Sequence, residues 1–371
     1  MSEPIGVAVI GTGSIANAHL YAYQKSDRAR LVAVADIEET RAKEAASRFE
    51  AERTFADIQN VLALDEVQAV SICTPPFLHT EMAIAALNAG KHVFCEKPVA
   101  PTLGALDAIA AAEAASSVSF SGVFQLRYGR GAQQVRRLLD EGCFGRLHLG
   151  IAETLWFRDH DYYEVPWRGT WASECGGVTV SQAIHLIDAL ICYLGEPVSV
   201  YAQGGTFRTR TEIDDTMVAL IRFPGGAIGQ VTSTVSAFGQ ERGKLEIYGT
   251  DLTAVSQGTA YDATAELFSL GSPVHGHAAE WAVRMEAGVP KTSSLLHRPA
   301  IEDFLQCIQE GRRPPIGVDE CRKVLQVTTA IYKSAMTGEV VHLPIQPGDA
   351  FYDYLPPEGM SLPPVADREA V

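Results

Sequence analysis

A lysine directly before a proline, at the end of a short apolar segment, is the first residue in this sequence that could do chemistry. The segment is His92–Cys95, and Glu96, Lys97 and Pro98 follow it. Proline fixes its own φ and keeps the preceding residue away from helical geometry, which predicts an extended or turn conformation at Lys97. If the segment is a strand of an open α/β sheet, its carboxyl end faces the crevice in which such sheets bind ligands. Most lysines are solvated surface groups, but the motifs on either side of this one favour a ligand contact.

A histidine and an aspartate, spaced for one face of a helix, form the second chemical candidate. Two glycines, Gly176 and Gly177, lead into a segment that is predicted to be helical from Ser181 onward. Ser181, His185 and Asp188 stand at i, i+4 and i+7, which would put all three on one helix face. Histidine titrates near neutral pH and can carry a proton, and the pair can hydrogen-bond neighbouring hydroxyls of one substrate. The alternative is a buried histidine with a purely structural role.

The start of the chain carries a glycine-rich turn between a strand pattern and a helix pattern. The apolar run Ile5–Ile10 leads into residues 11–16, which match G-x-G-x-x-A, and a helix is predicted at 15–25. In this motif the first glycine makes the tight turn, the second lets a pyrophosphate approach the backbone, and the helix N-terminus favours the anion. The strand before it and the helix after it are the context that the motif requires. The predicted dinucleotide contacts in the turn are Gly11, Gly13, Ser14 and Ile15.

An acidic residue, Asp36, follows the next apolar run, residues 31–35. An acid at this point of a dinucleotide-binding unit accepts hydrogen bonds from the adenosine ribose hydroxyls and repels a 2′-phosphate. The next residue is Ile37, so no arginine stands there to pair with such a phosphate. The sequence therefore predicts NAD as the cofactor, in preference to NADP.

Strand and helix patterns alternate through the first third of the chain. Apolar strand runs and helical runs occur in turn at 69–73, 80–88, 92–95, 103–115 and 118–124. This alternation predicts a doubly wound parallel sheet of the Rossmann type over residues 1–125. Thr74, Pro75 and His79 follow one strand run and are predicted to lie near the cofactor. His79 could equally be a residue that only begins a helix.

From residue 126 the pattern changes to short alternating strands joined by glycine turns. Clear examples lie at 147–151, 198–202, 217–223 and 227–235. They predict an α+β domain over residues 126–371 with a large, mostly antiparallel, open-faced sheet. One face would pack on helices predicted at 177–194, 301–310 and 320–336. The other face could serve self-association into a homodimer or homotetramer.

Net charge and cysteine usage exclude several classes of partner. The 371 residues carry a formal net charge of -15, so nucleic acid and anionic membranes are not expected partners. No apolar run is long enough to span a bilayer, and the first residues lack the pattern of a signal peptide, so a cytoplasmic location is expected. The seven cysteines show no Cys-x-x-Cys spacing, which argues for reduced thiols and against a metal site.

Together these motifs resemble the glucose–fructose oxidoreductase / inositol dehydrogenase (Gfo/Idh/MocA) family. The matching residues are 11–13, 74–76, 96–98 and the glycine pair 176–177 leading to His185-x-x-Asp188. They span the first half of the chain, and the later sheet pattern, including the glycine and threonine at 249–250, agrees in layout. The resemblance implies an NAD-dependent dehydrogenase or reductase. Its substrate would be a secondary alcohol or ketone of a sugar, glycoside, sugar derivative or cyclitol.

The resemblance also implies a role for each site residue. In that family the lysine of Glu-Lys-Pro and the helix histidine are the catalytic pair, which implies this role for Lys97 and His185 and leaves open which one is the base. The other implied substrate contacts are Asp188, Arg127 and Ser181, with Tyr163 as an aromatic wall for a sugar ring. The implied cofactor contacts, besides those in the glycine turn, are Glu96, Lys97, Gln125, Trp167 and Arg168.

Two positions depart from the family's usual pattern. Many members have Asp-x-Gly where residues 181–183 read Ser-Gln-Ala, which argues against a plain inositol dehydrogenase. The chain is closer to the subgroup with Asn-Gln there, although Ser181 replaces the asparagine. The family's Gln-Asn-Arg reads Gln-Leu-Arg at 125–127. Two alternatives therefore stay open: a dihydrodiol or other non-sugar alcohol dehydrogenase of the same fold, and a catalytically silent NAD-binding regulator.

Overall fold

The fold is built from two units, each with its own sheet. The computed structural model describes residues 3–239, 241–258, 267–274, 277–286 and 296–363. The first unit comprises these residues up to Phe124 together with His297–Arg322, and the second comprises those of Gln125–Leu296 and those from Lys323 onward. The first division lies within one residue of the predicted boundary. The prediction did not include the return of His297–Arg322 to the first unit.

The first unit is a parallel sheet with helices between successive strands. Its elements up to residue 124 are β1 (Ile5–Ile10), α1 (Ala16–Gln24), β2 (Ala29–Ala35), α2 (Glu39–Phe49), β3 (Arg53–Phe55), α3 (Ile58–Leu62), β4 (Ala69–Ile72), α4 (His79–Asn88), β5 (His92–Cys95), α5 (Leu103–Ala115) and β6 (Phe120–Gly122). The strand order is β3-β2-β1-β4-β5-β6 and all pairs are parallel. This confirms the predicted doubly wound fold.

The central strands of this sheet are fully buried. Every residue of β1 and β4 is buried, as the apolar runs in the sequence predict for strands covered by helices on both faces. The strand order reverses between β1 and β4. The carboxyl ends of β1, β4 and β5 therefore border the crevice in which such sheets bind ligands.

The second unit is dominated by a larger, mostly antiparallel sheet. The elements between residues 125 and 286 are α6 (Arg130–Asp140), β7 (Leu147–Leu155), α7 (Trp171–Glu174), α8 (Val178–Ser181), α9 (Ile184–Leu194), β8 (Ser199–Gly205), β9 (Thr216–Arg222), β10 (Ile228–Thr234), β11 (Arg242–Gly249), β12 (Thr253–Gly258), β13 (Leu267–Gly271) and α10 (His277–Glu286). The later elements are α11 (His297–Glu310), which belongs to the first unit, α12 (Val318–Thr337), β14 (Val341–His342) and α13 (Ala350–Asp353). The strand order is β13-β12-β11-β7-β10-β9-β8-β14, with only the β7–β10 pair parallel. This confirms the predicted type of sheet.

One face of the large sheet is covered by α9. A Cβ added at Gly150 of β7 would lie 2.5 Å from the Cδ1 atom of Leu190, so this glycine allows the helix to approach closely. Along β9, buried and exposed side chains alternate, with Ala219 buried and its neighbours Val218 and Leu220 exposed. The pattern follows the strand's two-residue period and leaves an apolar strip on the second face.

The helix predicted at 177–194 is in fact two helices. α8 ends at Ser181 and α9 begins at Ile184, and their axes are bent by 55°. The prediction that Ser181, His185 and Asp188 share one continuous helix face was therefore wrong. The Ser181 hydroxyl donates to the carbonyl of Gly177, and such local side-chain bonds compete with helical ones.

Among the described residues, no single helix is both long enough and apolar enough to cross a membrane. The bent pair Trp171–Ser181 and Ile184–Leu194 meets both conditions only when its two parts are joined.

Candidate active site

The glycine turn after β1 is shaped for a dinucleotide. Gly11 has a φ of +83°, and a Cβ there would lie 2.9 Å from the carbonyl group of Cys73, so a side chain is excluded. A Cβ at Gly13 would meet no described atom within 4 Å, which leaves the backbone open to a phosphate. Ser14 and Ile15 are exposed, and no described side chain caps the N-terminus of α1. These residues fit a bound pyrophosphate.

The Asp36 carboxylate lies against this turn. Its Oδ2 atom accepts hydrogen bonds of 2.8 Å from both the backbone N–H and the hydroxyl of Thr12, and its Oδ1 atom accepts one of 2.9 Å from the N–H of Glu38. The carboxylate is thus oriented at the strand end where an adenosine ribose binds in this fold. The sequence analysis did not identify Thr12, which occupies the variable position of the G-x-G motif.

His79, which is predicted to lie near the cofactor, is buried between two strand ends. Its Nδ1 atom lies 2.7 Å from the carbonyl oxygen of Pro98, and its Nε2 atom lies 2.8 Å from that of Thr74. Its ring is 1% exposed, and its predicted contact with the cofactor stays a prediction. His79 ties the turn after β4, with Thr74 and Pro75 half-buried, to the turn after β5.

Glu96 also points into the first unit, and its predicted contact with the cofactor stays a prediction. Its Oε1 atom accepts a hydrogen bond of 3.0 Å from Nε2 of His19 and lies 3.4 Å from Nε2 of His297. Its Oε2 atom accepts the backbone N–H of Lys97 at 3.2 Å. Burial alone raises the pKa of this carboxyl, but the two histidines hold it well below its ordinary value.

Lys97 itself is half-buried at the carboxyl end of β5, as predicted. The following Pro98 is buried, and the peptide bond between the two residues is cis. The turn is held on one side by Glu96 and on the other by His79. The backbone at Lys97 is therefore fixed on both sides by hydrogen bonds to side chains, between its N–H and Glu96 and between the Pro98 carbonyl and His79.

In the second unit, a buried aspartate sets the start of α8. The carboxylate of Asp214 accepts the backbone N–H groups of Gly177 and Thr179 at 2.8 and 3.0 Å and the hydroxyl of Tyr332 at 2.8 Å. A Cβ at Gly177 would lie 1.8 Å from the Asp214 carbonyl oxygen, so only glycine fits there. These contacts fix the segment that leads into His185.

His185 lies in the first turn of α9 and is buried. The side-chain nitrogen of Gln125 lies 3.4 Å from its Nε2 atom, so an amide N–H faces this ring nitrogen. The role of each nitrogen in this contact depends on the tautomer of the ring. A neutral ring with its proton on Nδ1 would accept from the amide at Nε2. Gln125, predicted as a cofactor contact, is here a neighbour of the histidine.

Asp188 is fully buried and paired with Arg127. The guanidinium donates from Nε to Oδ2 at 2.8 Å and from Nη2 to Oδ1 at 2.6 Å. The Asp188 side chain is 0% exposed and that of Arg127 is 16% exposed, so the arginine is the member of the pair that a ligand can reach. Arg127 also lines a cavity of about 490 Å³ beside α6 and α9. Asp188 thus orients Arg127, and its predicted substrate contact stays a prediction.

An aromatic and cationic cluster precedes α7. The Arg168 guanidinium lies 3.8 Å from the ring centroid of Tyr162 and 4.2 Å from that of Trp167. The same group donates to Tyr162 and to the buried Glu174, and Gln182 donates to the Tyr162 hydroxyl at 2.8 Å. Tyr163 is half-buried with its ring edge-on to Tyr162. Arg168 is therefore fixed by the chain's own residues, and the predicted cofactor contacts of Trp167 and Arg168 stay predictions.

These features define the class of protein. A doubly wound sheet with an open glycine turn, and an acid at the end of the neighbouring strand, is a dinucleotide-binding domain. Lysine and histidine side chains are of the types that carry acid–base chemistry, and that role for Lys97 and His185 stays a prediction. The combination is that of a nucleotide-dependent oxidoreductase.

Comparison with known proteins gives the family. Residues 5–123 match the oxidoreductase family with an NAD-binding Rossmann fold, and residues 132–255 match the GFO/IDH/MocA C-terminal domain. The chain belongs to the Gfo/Idh/MocA family, as its motifs predicted. Its first unit is an NAD-binding Rossmann domain.

Several known proteins are similar over most of the chain. Myo-inositol 2-dehydrogenase of Thermotoga maritima is 29% identical over 255 residues, which are 66% of this chain and 72% of the relative. D-glucoside 3-dehydrogenase of Escherichia coli is 26% identical over 368 residues, 92% of this chain and 98% of the relative. The WlbA dehydrogenase of Bordetella pertussis, solved with NADH and UDP-GlcNAcA, has a TM-score of 0.83 and 28% identity over 93% of this chain and 99% of its own.

The Arg127–Asp188 pair gives a first prediction. Changing Asp188→Asn leaves a largely buried guanidinium without its counter-charge, which typically costs about 3–5 kcal/mol of unfolding free energy. The control is Glu52→Gln, which breaks the exposed pair with Arg30 and should cost less than about 1 kcal/mol. Urea denaturation of both variants measures the difference, and equal losses would contradict a buried ion pair at Asp188.

Proposed function

We propose that the protein is an NAD-dependent dehydrogenase or reductase that transfers a hydride between nicotinamide and a secondary alcohol or ketone of a sugar, glycoside, sugar derivative or cyclitol. The observation that carries the proposal is the pairing, in one unit, of a dinucleotide turn with the fixed, half-buried Lys97. The relatives named above act on, or are solved with, inositol, a glucoside and a sugar nucleotide. All three substrates carry ring hydroxyls.

The chemistry divides between cofactor and protein. When bound, NAD accepts the hydride from the carbinol carbon. The hydroxyl proton must leave in the same step, and we assign its acceptance and the supporting hydrogen bond to Lys97 and His185, as the family resemblance implies. In this proposal Gln125 neighbours Nε2 of His185, and Arg127, oriented by Asp188, contacts a substrate oxygen.

Ser181 and Tyr163 remain proposed substrate contacts. The Ser181 hydroxyl donates to the Gly177 carbonyl and also bonds to Gln182, which places it at the break between α8 and α9. Tyr163 presents an aromatic face of the kind that packs on the apolar side of a sugar ring. Together they would select a ring bearing several hydroxyls over a simple alcohol.

The direct test is NADH formation, followed by its absorbance, when NAD and the purified protein meet a panel of inositols, aldoses, glycosides, nucleotide sugars and dihydrodiols. With the best substrate, Lys97→Ala should lower kcat by about 10²–10⁴-fold, the usual contribution of an acid–base group. NADH binding, followed by fluorescence titration, should survive because the Gly11–Gly13 turn holds the pyrophosphate. Lys43→Ala, at an exposed lysine paired with Glu39, is the control and should leave kcat unchanged.

Three outcomes would change this assignment. No turnover with any polyol would favour the silent regulator, and turnover restricted to dihydrodiols would favour the non-sugar alternative. A Lys97→Ala variant with wild-type kcat would remove Lys97 from the mechanism. A variant that loses NADH binding instead would make Lys97 a cofactor ligand.

Asp36 determines the preferred cofactor in this proposal. Facing the Gly11–Gly13 turn, its carboxylate should favour NAD over NADP by at least about tenfold in kcat/KM, equivalent to about 1.4 kcal/mol. Asp36→Ala should lower the ratio of kcat/KM with NAD to kcat/KM with NADP. Glu38→Ala removes a charge two residues away and should leave the ratio unchanged. Equal wild-type efficiency with both cofactors would contradict the role of Asp36.

The apolar strip on the second unit's sheet supports the proposal that the protein is a homodimer or homotetramer. Val218, Leu220 and Ile228 are 42%, 51% and 39% exposed on neighbouring strands, and such strips are commonly covered by a partner. Light scattering should therefore report a multiple of the 40.0 kDa chain mass. Leu220→Lys should shift the protein toward monomer, whereas Ile37→Lys, at an isolated exposed residue, should not. A wild-type monomer at micromolar concentration would contradict the proposal.

A further inference from the structure

A row of hydrogen-bonded, buried polar side chains runs through the first unit to Glu96, next to Lys97 in the turn after β5. Tyr23 and His19 lie on α1 and Ser71 lies on β4. The Tyr23 hydroxyl lies 2.7 Å from the Ser71 hydroxyl, which lies 3.1 Å from Nδ1 of His19, and Nε2 of His19 lies 3.0 Å from Oε1 of Glu96. Tyr23, His19 and Ser71 are at most 1% exposed. A row of buried polar groups far from solvent is retained only when its hydrogen bonds are satisfied.

The direction of each hydrogen bond follows from the chemistry of the partners. A carboxylate only accepts, so Nε2 of His19 carries a proton and donates to Glu96. Burial lowers the pKa of His19, which keeps the ring neutral and leaves Nδ1 as an acceptor for the Ser71 hydroxyl. Ser71 then accepts from the Tyr23 hydroxyl. Ser71 and His19 thereby each accept one hydrogen bond and donate one, Tyr23 donates, and Glu96 accepts.

A second histidine reaches the same carboxylate from a distant part of the sequence. His297 is the first residue of α11, and its Nε2 atom lies 3.4 Å from Oε1 of Glu96. Its ring centroid lies 5.5 Å from that of His19, and His19 also packs against Phe94 at 5.6 Å. Glu96 is therefore hydrogen-bonded to α1 through His19 and has a longer contact of 3.4 Å with α11 through His297, whose Nε2 atom has no hydrogen-bond partner among the described residues.

The second carboxylate oxygen of Glu96 contacts the backbone of Lys97. Its Oε2 atom accepts the backbone N–H of Lys97, the residue that carries the proposed proton-transfer group. A buried carboxylate without donors is costly, so loss of a histidine donor would favour a different orientation of Glu96. A change at Glu96 moves the peptide group of Lys97 directly.

We propose that His19 and His297 are positioning residues, which hold the Glu96 carboxylate so that it fixes the Lys97 turn. The inference rests on the proposed role of Lys97 in hydride transfer. Neither histidine touches cofactor or substrate in this account. Their effect on the reaction passes through Glu96 and the Lys97 backbone alone.

The kinetic test compares two substitutions of His19 whose amide side chains differ in length. In His19→Gln the side-chain amide reaches the position of Nε2 and can still donate to Glu96. In His19→Asn the shorter amide reaches only the position of Nδ1, so the bond to Glu96 is lost. Because small displacements of an acid–base group are costly, His19→Asn should lower kcat by about 10- to 100-fold, while His19→Gln should stay within about threefold of wild type.

Two further variants and one control complete the comparison. His297→Leu and Glu96→Gln should lower kcat in the same direction as His19→Asn, with KM for NAD within about threefold of wild type. The control is His92→Gln. His92 is half-buried at the opposite end of β5, where its Nδ1 atom accepts the N–H of Ser119, and kcat should be unchanged. If His19→Asn and His19→Gln lower kcat by the same factor, or if His92→Gln lowers it as much, the effect is general destabilisation and the proposal fails.

Nitrogen-15 NMR of the histidine rings tests the network without any enzymatic activity. At about neutral pH, His19 should give the signature of a neutral ring protonated at Nε2, and Glu96→Gln should change it. An Nδ1-protonated or doubly protonated ring would overturn the proposal, as would one equivalent of a divalent metal that purifies with the protein and is lost in His297→Leu. If the wild type oxidises no polyol but His19 has the expected signature, the proposed function fails and the network stands.

Discussion

The parallel pairing of β1, β4 and β5 is the constraint on which the candidate site depends. It brings three strand ends to one edge of the first unit's sheet, and each end carries a different function. The end of β1 supplies the glycine turn, the turn after β4 supplies Thr74, and the turn after β5 supplies Lys97. Backbone polar groups at strand ends need partners once they are buried. His79 and Glu96 supply them, so the same interactions that satisfy buried groups also hold Lys97 in place.

In the second unit, buried carboxylates fix the positions of other groups. Asp214 holds the start of α8, Asp188 holds Arg127, and Glu174 holds Arg168. Breaking one partner of such a pair is far more costly than omitting both, which makes these pairs effective at fixing geometry. In this account most of the polar residues near the site position others, and few act on substrate.

The sequence predicted the parts of the site that depend on local spacing. A glycine turn between a strand and a helix, an acid at the next strand end, and a lysine before proline each have a backbone reason that a short segment contains. The partners of Asp188, Glu96 and His79 could not be read in this way, because they come from residues distant in the chain. The return of α11 to the first unit and the break after Ser181 have the same origin. Both depend on tertiary contacts that leave no periodicity in the sequence.

The central claim is that a hydride passes directly from a ring carbinol carbon to NAD while Lys97 serves the hydroxyl group. The most direct measurement uses a ring polyol deuterated at its carbon positions, with mass spectrometry and NMR of the cofactor after turnover. The account predicts one deuterium at C4 of each NADH formed and one ketone in each product ring. NADH that carries no deuterium, or a product without a new ketone, would contradict it.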